Sequence, residues 1–298
     1  MAKKSKIKRA EKKGSFIYDN FILGALYMRK SWGYFLAAFL VMLLASLIGY
    51  FGIIGILSPE LGKTIDNQVL KSIEEMIRET AGLGPLELTM FIMFNNIKTA
   101  FFGIISGFFF AVIPSLIIIF NGYVLGFVAE TAVRNPLNQE GIFILWRLLP
   151  HGIFEIPAIL VSIGIGIKIG AYPFYLRERG KGFLSLLAAF LVFLFLSGVI
   201  TLVLSLFAGS QILAADSSVQ QNAADKLSGN PIFSFAYYLL MALSFIVSIL
   251  IGLKILSSKD RNTLKEIFKN SLRVFVFIVI PLLIIAGMIE GLLIFLTG

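Results

Sequence analysis

The residues of this sequence best placed to do chemistry lie inside its long apolar stretches. His151, the only histidine, and Glu155 sit in Leu148-Leu149-Pro150-His151-Gly152-Ile153-Phe154-Glu155-Ile156-Pro157-Ala158-Ile159. Glu290 sits in the last apolar stretch. Spaced four apart, His151 and Glu155 share one face of an unbroken helix. Such a pair could take part in catalysis or line an ion or substrate site. With Glu290 it could supply three ligands to a metal, but no HExxH pattern and no second histidine accompany it. No metal site is assigned.

Nucleophilic catalysis has less support. Ser106, Ser115 and Ser162 are isolated in apolar sequence, where helix–helix hydrogen bonding accounts for them. The chain has no cysteine, which excludes thiolate chemistry and disulfides. Gly103 and Gly107 form a GxxxG pattern, and Gly164, Gly166 and Gly170 a similar small face. These read as close helix packing. No phosphate-cradling loop is present, and no cofactor is expected.

The elements that must position these residues are membrane spans. Of 298 residues, 58% are hydrophobic and 14% charged, whereas a soluble domain carries about 25% charged residues. Uncharged runs recur at about 20 residues, the length that crosses a ~30 Å hydrocarbon core. The reading is an all-α, polytopic transmembrane helical bundle of about seven spans. The formal net charge of +9 fits basic cytoplasmic loops, and nucleic acid is not an expected partner.

Residues 1–30 read as a basic cytoplasmic tail followed by an interfacial helix over 16–28. Residues 31–298 read as one membrane-embedded domain. Residues 1–13 are too charged to form a cleavable signal peptide. Span 1 is expected over Gly33–Leu57. In the connection 58–87, Val69, Leu70, Ile73, Met76 and Ile77 have amphipathic helical spacing. Its excess of acidic residues fits an external location.

Residues 88–133 allow two divisions. One gives Leu88–Val112 and Ile113–Val133 with Pro114 near the turn. The other gives Ile97–Phe120, a turn at Asn121-Gly122, and a short helix Tyr123–Val133. The Asn-Gly pair favours the second. Later spans are expected over Gly141–Gly170, broken around residues 150–157, then Phe183–Ala208, Pro231–Leu256 and Val274–Thr297. Residues 254–273 carry Lys254, Lys259, Arg261, Lys265, Lys269 and Arg273. Leu264, Ile267, Phe268 and Leu272 give this stretch a second amphipathic face. The alternation of charge predicts a cytoplasmic N-terminus and an external C-terminus in the cell membrane.

Val161–Gly170 and Val247–Leu256 match at seven of ten positions. Both are read as span ends with a snorkelling lysine, Lys168 or Lys254. Duplication of a hairpin and chance similarity of apolar sequence both remain open.

Glu155 lies 13 residues from Lys168, about 20 Å along a helix. Glu290 lies 17 residues from Arg273, about 25 Å. A charge at such depth costs about 3 kcal/mol, so these groups should face the bundle and have partners. Pro150 and Pro157 lack an N–H, which leaves the carbonyls of Trp146 and Ile153 without their helical donors. Asn96, Lys98 and Asn121 join His151, Glu155 and Glu290 as candidate members of an intramembrane polar cluster. Three roles fit it: polar contacts that lock helices together, a permeation site, or catalysis.

Four stretches carry a family resemblance. They are Asn95-Asn96-Ile97-Lys98, Phe120-Asn121-Gly122-Tyr123-Val124-Leu125-Gly126, Leu149-Pro150-His151-Gly152-Ile153-Phe154-Glu155-Ile156-Pro157-Ala158, and Pro281-Leu282-Leu283 to Ile289-Glu290-Gly291. Together they resemble the stage II sporulation protein M family of integral membrane proteins. The Pro-His-Gly-x-x-Glu stretch is the most specific. Residues 171–246 depart from the shorter family pattern. The resemblance implies an envelope-membrane protein that works in a complex, as the family member of spore-forming bacteria does with peptidoglycan-degrading proteins.

The expected function is therefore a non-enzymatic scaffold or subunit, with the lipid bilayer and membrane or envelope proteins as partners. A transporter or channel using Glu155 and Glu290 is the alternative. A membrane-embedded hydrolase is the third reading.

Overall fold

Where an apolar run lacks a breaker, the chain of this computed structural model continues as one helix. The structure describes residues 16–80, 82–134, 139–213 and 231–297. They form α1 (Phe16–Tyr50), α2 (Ile53–Leu57), α3 (Pro59–Thr80), α4 (Pro85–Ile105), α5 (Val112–Arg134), α6 (Gln139–Gly170), α7 (Arg179–Leu213), α8 (Pro231–Ile255), α9 (Ser258–Val274) and α10 (Ile280–Thr297). No strand occurs among the described residues. Among the described residues, seven helical segments are long and apolar enough to cross a membrane. The tail before residue 16 and the connection 214–230 lie outside the described residues.

Three boundaries differ from expectation. The interfacial helix and span 1 are a single helix, α1. Arg29 and Lys30 mark a polarity change, but neither charge interrupts backbone hydrogen bonding. Span 1 stops at Tyr50, where Gly52 takes the left-handed conformation with φ 60°. The second correction concerns residues 88–133. Asn121-Gly122 is not a turn. It lies inside α5, and the reversal comes at Phe110, whose φ is 66°. Gly122 is needed for contact instead: a Cβ there would meet the Met42 carbonyl of α1.

The third difference is at the prolines. α6 is helical from Gln139 to Gly170, through Pro150 and Pro157. The interruption is a loss of two hydrogen-bond donors within one helix, not a gap between two.

The chain falls into two compact units, Met1–Ala171 with Lys265–Gly298, and Tyr172–Leu264. In the first unit α6 is the central span. Its apolar stretch is 56% buried, against 17–33% for the other spans of that unit. Ala38 and Met42 of α1, Ile118 of α5, and Ile159 and Ile163 of α6 form one core cluster. α4 and α6 run parallel and nearly touch, because Gly107 lies against the Gly166 carbonyl and Gly166 against that of Gly103. α3 packs one face, with Gly62 and Val69 buried. The expected positions Met76 and Ile77 have side chains outside the described residues.

In the second unit α7 and α8 pack as a hairpin. A Cβ on Gly252 would sit 2.7 Å from the Ser185 carbonyl, and the Ser185 hydroxyl donates to the Gly252 carbonyl at 2.8 Å. Tyr172 donates to Ser185 Oγ at 2.9 Å. Burial pushes the Tyr172 phenol up to about 12 and so keeps it a donor. Asp260 is buried and accepts the Arg177 amide at 3.1 Å.

The similar decapeptides place Ser162 and Ser248 alike, both fully buried. They differ at their lysines. Lys254 is exposed, but Lys168 is 9% exposed and does not snorkel. On α9 the buried face holds Leu264, Ile267 and Ser271, while Phe268 and Leu272 are exposed.

Candidate functional site

Helix register decides how near the six candidate residues lie to one another. Gly103 of α4 faces Ile163 of α6, and Gly107 faces Gly166. Carried back by two turns, this parallel register puts Asn96 and Lys98 level with Glu155 to within about one turn. Ile118 meets Ile159 and Ile163 in the core. Asn121, one turn further along α5, therefore reaches the same level. α10 runs antiparallel to α4, with Gly287 against Met93 and, just before α10, the Phe275 ring tilted against that of Phe101 with centroids 5.4 Å apart. Glu290 is thereby placed near the level of residue 150, one turn from Glu155.

The six thus share a slab about 10 Å thick, but not one direction. Asn96, Asn121, Glu155 and Glu290 are half-buried, while Lys98 is exposed. The His151 side chain lies outside the described residues. Asn121 donates to the Ile117 carbonyl of its own helix at 2.8 Å. Asn96, Lys98 and Glu290 make no hydrogen bond or ion pair with a described residue. Among the described residues no group of three or more His, Asp or Glu could hold a metal ion.

Two polar sites escaped the reading of the sequence. At the basic end of the first unit, Lys168 Nζ donates to Ser31 Oγ at 2.7 Å and sits 3.8 Å above the centre of the Tyr27 ring. Ser31 in turn donates to the Tyr27 carbonyl at 2.8 Å. The ring and the hydroxyl both come from α1, four residues apart, so one helix face makes the whole receptacle. That i, i+4 pairing at the membrane boundary was the available signal.

At the opposite end, Tyr123 of α5 donates to Asp66 of α3 at 2.7 Å. Asp66 and Glu130 line a cleft of 410 Å³ with Gly49, Gly52, Gly55 and Phe127. The signal here was a carboxylate, Asp66, set among the apolar positions of an amphipathic helix. The bond pins α3 to the spans.

An uncharacterized protein of Methanocaldococcus jannaschii is 35% identical over 78 residues, which cover 26% of this chain and 43% of that protein. The chain therefore matches less than half the length of that relative. No solved structure matches the chain. Residues 37–205, more than half of the chain, match the family described as Stage II sporulation protein M. This segment holds α6, its prolines and the Asn96–Asn121–Glu155 level, and the chain belongs to the stage II sporulation protein M family.

Proposed function

We propose that this protein is a non-enzymatic scaffold or subunit of a cell-envelope membrane complex. The observation that carries this reading is the pair of amphipathic helices. α3 buries Gly62 and Val69 and exposes Glu60, Lys63, Lys71, Glu74, Glu75, Arg78 and Glu79. α9 buries Leu264, Ile267 and Ser271 and exposes Lys265, Glu266 and Lys269. Each is pinned on one side, by Tyr123–Asp66 for α3 and by contacts such as Tyr27–Ile267 for α9. Each offers a charged face on the other. Rigid charged faces held at the membrane surface suit recruitment of partner proteins.

Purification from native membranes in mild detergent should recover a stoichiometric partner. Charge reversal of Glu74, Glu75 and Glu79 to lysine should lower that recovery several-fold without changing the amount of folded protein. Repeated recovery of the wild-type chain alone would overturn the reading.

The basic end of the bundle is assigned to the cytoplasm by the positive-inside rule. Because the chain has no cysteine, single cysteines report sidedness cleanly. In intact cells an impermeant thiol reagent should label Glu75→Cys and leave Lys265→Cys unlabelled. The reverse pattern refutes the assignment.

A second reading is a transporter for a small solute or ion. It is favoured by Glu290, a half-buried carboxyl with no hydrogen bond or ion pair to a described residue. Liposome flux should then fall at least tenfold in Glu155→Gln and Glu290→Gln. Flux that both variants leave unchanged removes this reading.

A further inference from the structure

α4 presents an exposed stripe with a charge at its centre. Leu86, Met90, Phe94, Lys98 and Phe102 recur every four residues, and all are exposed. Asn95 is exposed beside them, three residues before Lys98. The span containing them runs from Pro85 to Phe109. Lys98 is 13 residues from its start and 11 from its end, about 20 Å and 17 Å along the axis. That is near the middle of a ~30 Å hydrocarbon core, too deep for the ammonium group to snorkel comfortably to either surface. Lys98 makes no hydrogen bond or ion pair with a described residue.

A lysine at this depth facing lipid tails is strongly unfavourable, and intramembrane charges are found paired or inside bundles. The apolar neighbours of Lys98 suit helix packing, yet they do nothing for its charge. A second copy docked on this face about a two-fold axis normal to the membrane would set Lys98 opposite Lys98. In a medium of low dielectric that repulsion is severe. A carboxylate has the opposite effect. It neutralises the ammonium group, and the Asn95 amide, one turn away, can donate to its second oxygen.

We propose that the α4 stripe docks a transmembrane helix of a different protein, one that carries an Asp or Glu near its midpoint. This inference rests on the scaffold reading and specifies the partner's chemistry. It also accounts for a polar Asn95–Lys98 pair on an outward face of the bundle.

The test is photo-crosslinking in native membranes from a benzophenone amino acid placed at Phe94 or Phe102, with the crosslinked peptide read by mass spectrometry. The expected product is an apolar segment of another protein with Asp or Glu within one turn of the crosslink. Its yield should fall about tenfold or more in Lys98→Met and persist in Lys98→Arg, the change expected when a buried pair loses its cation. If Lys98→Met does not accumulate, the position of an acidic residue in the crosslinked peptide still decides. Crosslinks only to lipid, to a second copy, or to residues 172–264 of the same chain would overturn the proposal. So would a partner segment without a carboxylate, or labelling of Lys98→Cys by a water-borne thiol reagent, which marks an aqueous path. A stoichiometric partner that stays bound to Lys98→Met defeats this inference and leaves the scaffold reading standing. Absence of any partner defeats both.

Discussion

Gly126→Leu should abolish most folded protein, with a loss of about 3 kcal/mol or more, the upper end of what overpacking costs. α1 and α5 run side by side with almost no side-chain layer between them. A Cβ on Gly126 would run into the Ser46 carbonyl, and one on Gly49 into the Tyr123 carbonyl. These obstacles are backbone atoms, which cannot rotate aside as a side-chain tip can. The helices would have to part along the whole seam. Parting would separate Ala38 and Met42 from Ile118, the contacts on which α6 rests. Thermal unfolding followed by size-exclusion fluorescence reads the effect. Gly33 and Gly198 meet nothing within 4 Å of an added Cβ. In these helices Gly33→Ala and Gly198→Ala should change stability by under about 1 kcal/mol, in the stabilising direction. Similar melting of Gly126→Leu and wild type would refute the close approach of α1 and α5.

The second large effect concerns a charge. Ser31→Ala should destabilise the first unit by about 1.5–3 kcal/mol, the range for hydrogen bonds to charged groups. Lys168 is 9% exposed, and Ser31 Oγ accepts from its ammonium group at 2.7 Å. Without that hydroxyl the charge has no hydrogen-bond acceptor among the described residues and keeps the Tyr27 ring. Lys168→Met should cost far less. The methionine keeps much of the lysine's shape, and Ser31 retains its own bond to the Tyr27 carbonyl. Replacing a buried charged group by an apolar one of similar volume is often neutral. In the Lys168→Met background, Ser31→Ala should therefore cost almost nothing. A double-mutant cycle on unfolding checks the coupling. Additive effects would mean that Lys168 does not depend on Ser31.

Both predictions rest on contacts with α1 that a linear reading did not place. Lys168 follows an apolar run and precedes an aromatic loop, which is how a snorkelling lysine reads. Its burial depends on α1, 137 residues earlier, bringing Tyr27 and Ser31 over it. Asn121-Gly122 has the composition of a turn. It became helix because Gly122 serves the α1 contact, while Phe110 adopted the conformation of the reversal.

The candidate site was legible in part. That Glu155 and Glu290 lie deep follows from counting residues along helices, since rise per residue is constant. That Asn96, Lys98 and Asn121 share their level required the first division of residues 88–133, the one the Asn-Gly pair argued against. That Lys98 turns outward was not readable at all. Its direction depends on which side of α4 meets α6 and α10.

By itself the sequence determined the class, the number of spans, the two amphipathic helices and the membership of the family. The membership was carried by resemblance of motifs such as Pro150-His151-Gly152 to Glu155, and the rest follows from local physics. Apolar length answers to bilayer thickness, backbone donors must be satisfied within each helix, and charge must stay near water. Only the tertiary structure decided which glycines are contacts, which lysine is buried, and which polar residues share a level or face outward. In a membrane, apolar side chains gain little by choosing protein over lipid. Pairing is then chosen by close backbone approach and a few polar bonds between residues far apart in the chain.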